Sequence, residues 1–147
     1  MKIRKGFTLI EVILGLSIVV SLIIPLGSFI KVYKRKATLY KGEMIKNEIG
    51  NFIFRGKEIS KRRGEEGIIV IQPTNNKMIY TIGKEEIDHY NLKGEFTFID
   101  DTTVNKQKIN LGKDGNINTS IKVRFKDKYD RKYDVSIRVG VSNIFYE

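Results

Sequence analysis

The sequence contains no cysteine and only one histidine, His89. Without cysteine there is no disulfide and no thiolate metal site. A single imidazole leaves little with which to build a histidine metal centre or a general base. Glycine-rich phosphate-binding signatures are also missing. Acidic side chains are outnumbered, 17 against 27 Lys and Arg, which gives a net charge of +10. Three of the positive charges, Lys2, Arg4 and Lys5, lie in the first six residues, so removing that piece leaves +7. The remainder is spread along the chain and reads as a solvated surface, although contact with nucleic acid or another anionic surface is compatible with it. Hydrophobic residues make up 41% of the 147 positions, enough for a folded domain of modest size.

Phe7 to Ile30 is an almost unbroken apolar run, long enough to cross a bilayer as a helix. Its one charged residue is Glu11. A carboxylate at bilayer depth is costly and calls for a partner, a function, or a position near the boundary where it can reach water. A cleaved secretory signal fits poorly: the apolar run is too long, an acid sits at its start, and no small-residue cleavage site follows. A plain signal anchor accounts for the length and the basic flank. It gives no reason for the spacing of Gly6, Phe7 and Glu11.

That spacing carries a family resemblance. Lys5-Gly6-Phe7-Thr8-Leu9-Ile10-Glu11 resembles the processing site of type IV prepilins, which include pilins and the pseudopilins of secretion and competence systems. The match comprises a short basic leader (Lys2, Arg4, Lys5), the glycine, the aromatic residue, the acid five residues into the new chain and the apolar run behind it. The resemblance implies that a prepilin peptidase cuts between Gly6 and Phe7 and that the new amino group of Phe7 is methylated. It implies that Glu11 pairs with the N-terminal amine of a neighbouring subunit during assembly. Two opposite buried charges tolerate each other where each alone would be expensive, and such a pair fixes register between helices. The implied partners are the peptidase, other pilin-like subunits and, before assembly, inner-membrane lipid. The implied location is the cytoplasmic membrane, N-terminus inside and head outside, and then a surface filament. Small size and the lack of a disulfide-closed C-terminal loop point to a minor pilin or pseudopilin.

Charge counting does not settle the orientation. Lys2, Arg4 and Lys5 favour an internal N-terminus, yet Lys31, Lys34, Arg35 and Lys36 follow the span directly. Pro25 and Gly27 interrupt the run and suggest a kink. Ser17 and Ser21, four residues apart, would let helices approach closely.

Beyond the span the apolar residues recur at helical steps: Ile30, Tyr33, Ala37, Tyr40, Met44, Ile45, Ile49, Phe52 and Ile53. This predicts an amphipathic helix over 31–56 whose apolar stripe faces a sheet, stopping near Arg55 at Gly56, with Gly42 and Gly50 as weak points. Ser60 to Gly67 then reads as a charged connector, and Lys61, Arg62 and Arg63 within it are candidate anion contacts. From there the period becomes two. Ile68–Ile71 and Met78–Ile82 flank the turn residues Pro73-Thr74-Asn75-Asn76. Phe96 and Phe98 form a short strand. Ile109–Leu111 and a strand from Ile117 are joined across Lys113-Asp114-Gly115. Ile121, Val123 and Phe125 pair with Tyr133, Val135, Ile137, Val139 and Val141, apolar on one face only.

The expected architecture is α+β: leader 1–6, membrane and assembly helix 7–30, amphipathic helix 31–56, and a head over 57–147 with an antiparallel sheet of about five or six strands. No enzymatic activity, cofactor or metal is expected. Glu65-Glu66, Glu85-Glu86, Asp100-Asp101 and Asp88-His89-Tyr90 read as loop or turn residues. The expected function is that of a filament subunit. The alternatives are a filament-displayed module that binds DNA for uptake, through Arg62, Arg63 and the basic strand faces, and a membrane-anchored extracellular domain.

Overall fold

The computed structural model describes residues 8–99, 108–117, 120–137 and 144–146, with side chains for all of these except 24–26, 121 and 144–146. The chain forms two units, Met1–Leu39 and Tyr40–Glu147. One helix, α1 (Leu9–Arg63, 55 residues), contributes to both. Neither Pro25 nor Gly27 ends it. The hydroxyls of Ser17 and Ser21 donate back to the carbonyls of Leu14 (2.8 Å) and Ser17 (2.7 Å), so both are satisfied within their own helix.

Both ends of α1 are capped. At the N-terminus, Thr8 and Glu11 form the reciprocal pair described below. At the C-terminus Gly64 takes φ +65 and the Glu65 N–H donates to the Ser60 carbonyl at 3.2 Å, a Schellman closure. The helix therefore runs eight residues past the expected stop at Arg55. Gly56 lies inside it, where the sheet packs closely: a Cβ would sit 3.2 Å from Leu111 Cδ1 and 3.3 Å from Ile69 Cδ1, so those side chains would have to give by a few tenths of an ångström. Ser60, expected in a connector, is fully buried, and its hydroxyl lies 2.7 Å from that of Tyr80.

The unit Tyr40–Glu147 holds two antiparallel four-stranded sheets instead of the single one expected. The first has the order β3-β2-β1-β5, from β1 (Gly67–Gln72), β2 (Lys77–Ile82), β3 (Glu85–Asn91) and β5 (Lys108–Leu111). The second has the order β4-β6-β7-β8, from β4 (Phe96–Phe98), β6 (Ile121–Asp127), β7 (Lys132–Ile137) and β8 (Ile144–Tyr146). A 3-10 turn at Pro73–Asn75 joins β1 to β2, and Val123 and Phe125 face Val135 and Tyr133 across β6–β7, as the alternation predicts. The Leu111–Ile117 bridge closes the turn at Lys113-Asp114-Gly115. Val139 and Val141 lie outside the described residues.

Each sheet turns one face inward: Ile69, Ile71, Met78, Tyr80, Ile109 and Leu111 from the first, and Phe96, Phe98, Val123, Phe125, Tyr133 and Val135 from the second. Ile45, Ile49, Phe52 and Ile53 of α1 complete the same core. The expected stripe divides here. Tyr33, Tyr40 and Met44 are exposed at 75%, 71% and 61%, so they are not core residues. Beside Ile45, Ile49, Phe52 and Ile53, the buried line of α1 includes the small residues Gly42, Gly50, Gly56 and Ser60. At Gly42, for instance, a Cβ would fall 2.3 Å from the Tyr133 ring. Asn76, in the left-handed region at φ 48, links the sheets: its side chain accepts from Phe98 N–H (3.0 Å) and donates to the Phe96 carbonyl (3.3 Å).

Candidate functional site

The sequence places function in the first turns of α1. Gly6, Phe7, Lys2, Arg4 and Lys5 lie outside the described residues. Glu11 is described, and its surroundings are specific. The Thr8 N–H donates to Glu11 Oε2 at 2.8 Å and the Thr8 hydroxyl donates to the same oxygen at 2.9 Å. In return the Glu11 N–H donates to Thr8 Oγ1 at 3.4 Å. This is a capping box, with Thr8 as N-cap and Glu11 at the third helical position. It satisfies backbone donors that a helix start otherwise leaves open, and it puts a negative charge at the positive end of the helix dipole. The Thr-x-x-Glu spacing was there to be read in the sequence, and Thr8 is the functional partner that reading the acid alone overlooks.

The box leaves Glu11 half engaged. Oε2 carries both contacts, while Oε1 has no hydrogen-bond partner among the described residues. Chemically, Glu11 is a carboxylate at the helix origin with one acceptor oxygen that none of the described residues engages. Behind it, the described apolar residues from Val12 to Ile30 are all exposed, with Leu16 at 61% and Leu22 at 64%. An unpartnered run of this length does not persist in water. By length and composition α1 is a candidate for a single membrane span, the one such helix among the described residues.

The second set of predicted residues, Lys61, Arg62 and Arg63, forms the last turn of α1 rather than a loop. Cations there complement the negative end of the helix dipole. Arg62 Nε donates to the Glu58 carbonyl at 3.4 Å, and Arg63 pairs with Glu85 at 3.6 Å. With Ile59 and Ile87, Arg62 and Arg63 line a shallow groove of about 310 Å³.

The acidic pairs are placed differently from expectation. Glu85, Glu86 and Asp88-His89-Tyr90 belong to β3, not to a turn. Asp88 accepts from Arg55 at 3.2 Å, Glu86 pairs with Lys77 at 3.2 Å and with His89 at 3.3 Å, and the Tyr90 hydroxyl donates to Glu48 at 2.8 Å. Burial, then the hydrogen bond to Glu48 and its charge, push the Tyr90 phenol well above its ordinary range. Glu65 and Glu66 do lie in the connector before β1, and Asp100-Asp101 fall outside the described residues. Among the described residues no three His, Asp or Glu side chains converge as a metal site. Compared with protein-family models, curated proteins and solved structures, the chain has no match.

The best-organised polar centre is in the head. Asp127, with its side chain fully buried, accepts from Arg131 Nε (2.7 Å), Tyr129 N–H (2.8 Å), Arg131 N–H (3.0 Å) and the Tyr133 hydroxyl (3.2 Å). Burial pushes its carboxyl up. The hydrogen bonds from Arg131, Tyr129 and Tyr133 outweigh burial and hold it below the usual carboxylate range. Burial, with the Asp127 charge beside it, pushes the Tyr133 phenol up to about 12. The cluster closes the β6–β7 hairpin and fixes the ring that Gly42 accommodates, so its role is structural.

Proposed function

We propose that the chain is a structural subunit of a type IV pilus-like filament, in the manner of a minor pilin or pseudopilin. The observation that carries this reading is the origin of α1: a capped helix start within two residues of the predicted Gly6–Phe7 cut, with Glu11 as the only charged side chain between that cut and Lys31. Two further features support it. From Val12 to Ile30 the described surface of the helix is predominantly apolar, and the second half packs Ile45, Ile49, Phe52 and Ile53 into the core with the sheets, the division of labour an anchored and polymerising subunit needs. Stacking through such a helix is head-to-tail and does not close, which generates a helical polymer.

In this mechanism the Gly6–Phe7 bond is hydrolysed, leaving Phe7 with a free amine next to Thr8. The capping box holds Glu11 at the same end of the helix, and its free oxygen receives the amine of a neighbouring subunit. Replacing Glu11 with Ala is expected to spare cleavage and block incorporation into filaments. Incorporation of that variant at the normal level would remove the pairing role. An uncleaved, unassembled chain would point instead to a membrane-anchored extracellular domain.

A further inference from the structure

The four cations directly after the apolar run, Lys31, Lys34, Arg35 and Lys36, are unaccounted for by assembly through Glu11, and they oppose the orientation that assembly requires. All four are exposed. No acid occurs in the sequence between Glu11 and Glu43, so this stretch of the helix is strongly positive.

Their arrangement is informative. At 3.6 residues per turn, the four project at roughly 0°, 300°, 40° and 140° about the axis. They spread over about 200° of the circumference as an open ring, with Lys34, Lys31 and Arg35 within about 100° of one another and Lys36 beyond them. That is wider than the one side of the helix a flat protein partner or a linear polyanion would meet. From Lys31 to Lys36 the helix rises about 7.5 Å, close to the roughly 5–8 Å of headgroup region on each side of a bilayer. The apolar stretch from Leu9 to Ile30 measures about 33 Å, and the hydrocarbon core about 30 Å. With Glu11 at one boundary, the ring falls at headgroup depth on the other. Phe29 and Tyr33, 69% and 75% exposed, flank the start of the ring. Tyr33 lies at roughly 200°, in the widest gap between the cations. Aromatic residues at this level are the usual interfacial anchors.

We infer that Lys31, Lys34, Arg35 and Lys36 form a collar that binds the headgroups of anionic phospholipids where the helix leaves the membrane. The inference rests on reading the apolar run as a membrane span. Each ammonium or guanidinium meets a phosphate, the aliphatic stems lie along the acyl boundary, and Tyr33 places its hydroxyl among the headgroups. The collar sets the depth of the unassembled subunit and gives it a preference for anionic lipid.

The test uses the full chain in phosphatidylcholine vesicles doped with spin-labelled phosphatidylglycerol or spin-labelled phosphatidylcholine. The motionally restricted fraction in electron paramagnetic resonance reports which lipid contacts the helix. Phosphatidylglycerol is expected to be favoured roughly threefold or more at low salt, falling towards parity at 1 M salt, where the screening length is about 3 Å. Combined Lys31→Gln, Lys34→Gln, Arg35→Gln and Lys36→Gln should bring the preference close to one. Combined Lys2→Gln, Arg4→Gln and Lys5→Gln should leave most of it. Parity in the unmodified chain, or loss of preference only in the second variant, overturns the collar. Displacement of labelled phosphatidylglycerol by soluble polyphosphate would make a free polyanion the partner and also overturn it. An alkaline wash separates the two levels of the argument. Release of the chain means the helix does not span; retention with no lipid preference means the span stands and the collar does not.

Discussion

Replacing Asp127 tests the account of the head most sharply, because four donors converge on one buried carboxylate. Asp127→Ala leaves two backbone N–H groups, a guanidinium and a phenol without their acceptor. Hydrogen bonds to a charged group are worth about 1.5–3 kcal/mol each. Water can replace the lost acceptor in part, since the Arg131 side chain is 24% exposed and the hairpin turn lies at the surface. The expected net loss is about 2–4 kcal/mol. Asp127→Asn, which keeps an acceptor oxygen, should lose less. The pH dependence has a definite sign. The folded carboxyl titrates below the unfolded value of about 3.9, so on acidification the unfolded chain takes up the proton first. The contribution is therefore complete above the unfolded pKa and is lost as pH falls through the lowered folded value. Urea unfolding of the full chain in detergent micelles, followed by near-ultraviolet tyrosine dichroism, gives both quantities. The difference between unmodified chain and variant should be constant from about pH 5.5 to 8 and shrink below about pH 4. A loss under about 0.5 kcal/mol, or an equal loss at pH 3 and pH 7, would refute the reasoning.

The same measurement checks two glycines. Gly42→Ala should gain up to about 1 kcal/mol of helix propensity. It should lose more, about 1–3 kcal/mol, by pushing on a Tyr133 ring held by Asp127 and stacked on Phe125 at 5.0 Å; a net gain would show that the ring moves freely. Gly115→Ala combines φ +77 with a Cβ 2.8 Å from the Lys57 carbonyl oxygen, and should cost about 1–3 kcal/mol with no change in helix content by far-ultraviolet dichroism.

Much of this fold was legible where one side chain in two, or one in three or four, answers to a core. The β6–β7 pair and the β1–β2 hairpin follow from alternation because their inward residues are uniformly apolar. β3 is not legible in the sequence because Glu-Glu-Ile-Asp-His-Tyr-Asn has no apolar alternation. It is an edge strand that meets α1 through Asp88, Tyr90 and Glu85, which reach Arg55, Glu48 and Arg63, and through the Tyr90 ring against Phe52. The helix end is not legible because Gly56 looks like a stop but serves close packing, a distinction only the position of Leu111 and Ile69 can make. The apolar period is wider than the buried stripe because Tyr33, Tyr40 and Met44 share it while remaining exposed. The division into two sheets depends on which strands meet, and no local pattern encodes that. At the candidate site, Glu11 and the apolar run are evident in the sequence, and the Thr8 contact is encoded there too, in a Thr-x-x-Glu spacing that attention to the acid alone passes over.

Mass spectrometry of the mature N-terminus, on chain recovered from its native membrane, bears on the central claim most directly. The filament-subunit account predicts a chain that begins at N-methylated Phe7, with the residues through Gly6 removed. An intact chain beginning at Met1, still anchored in the membrane, would contradict it.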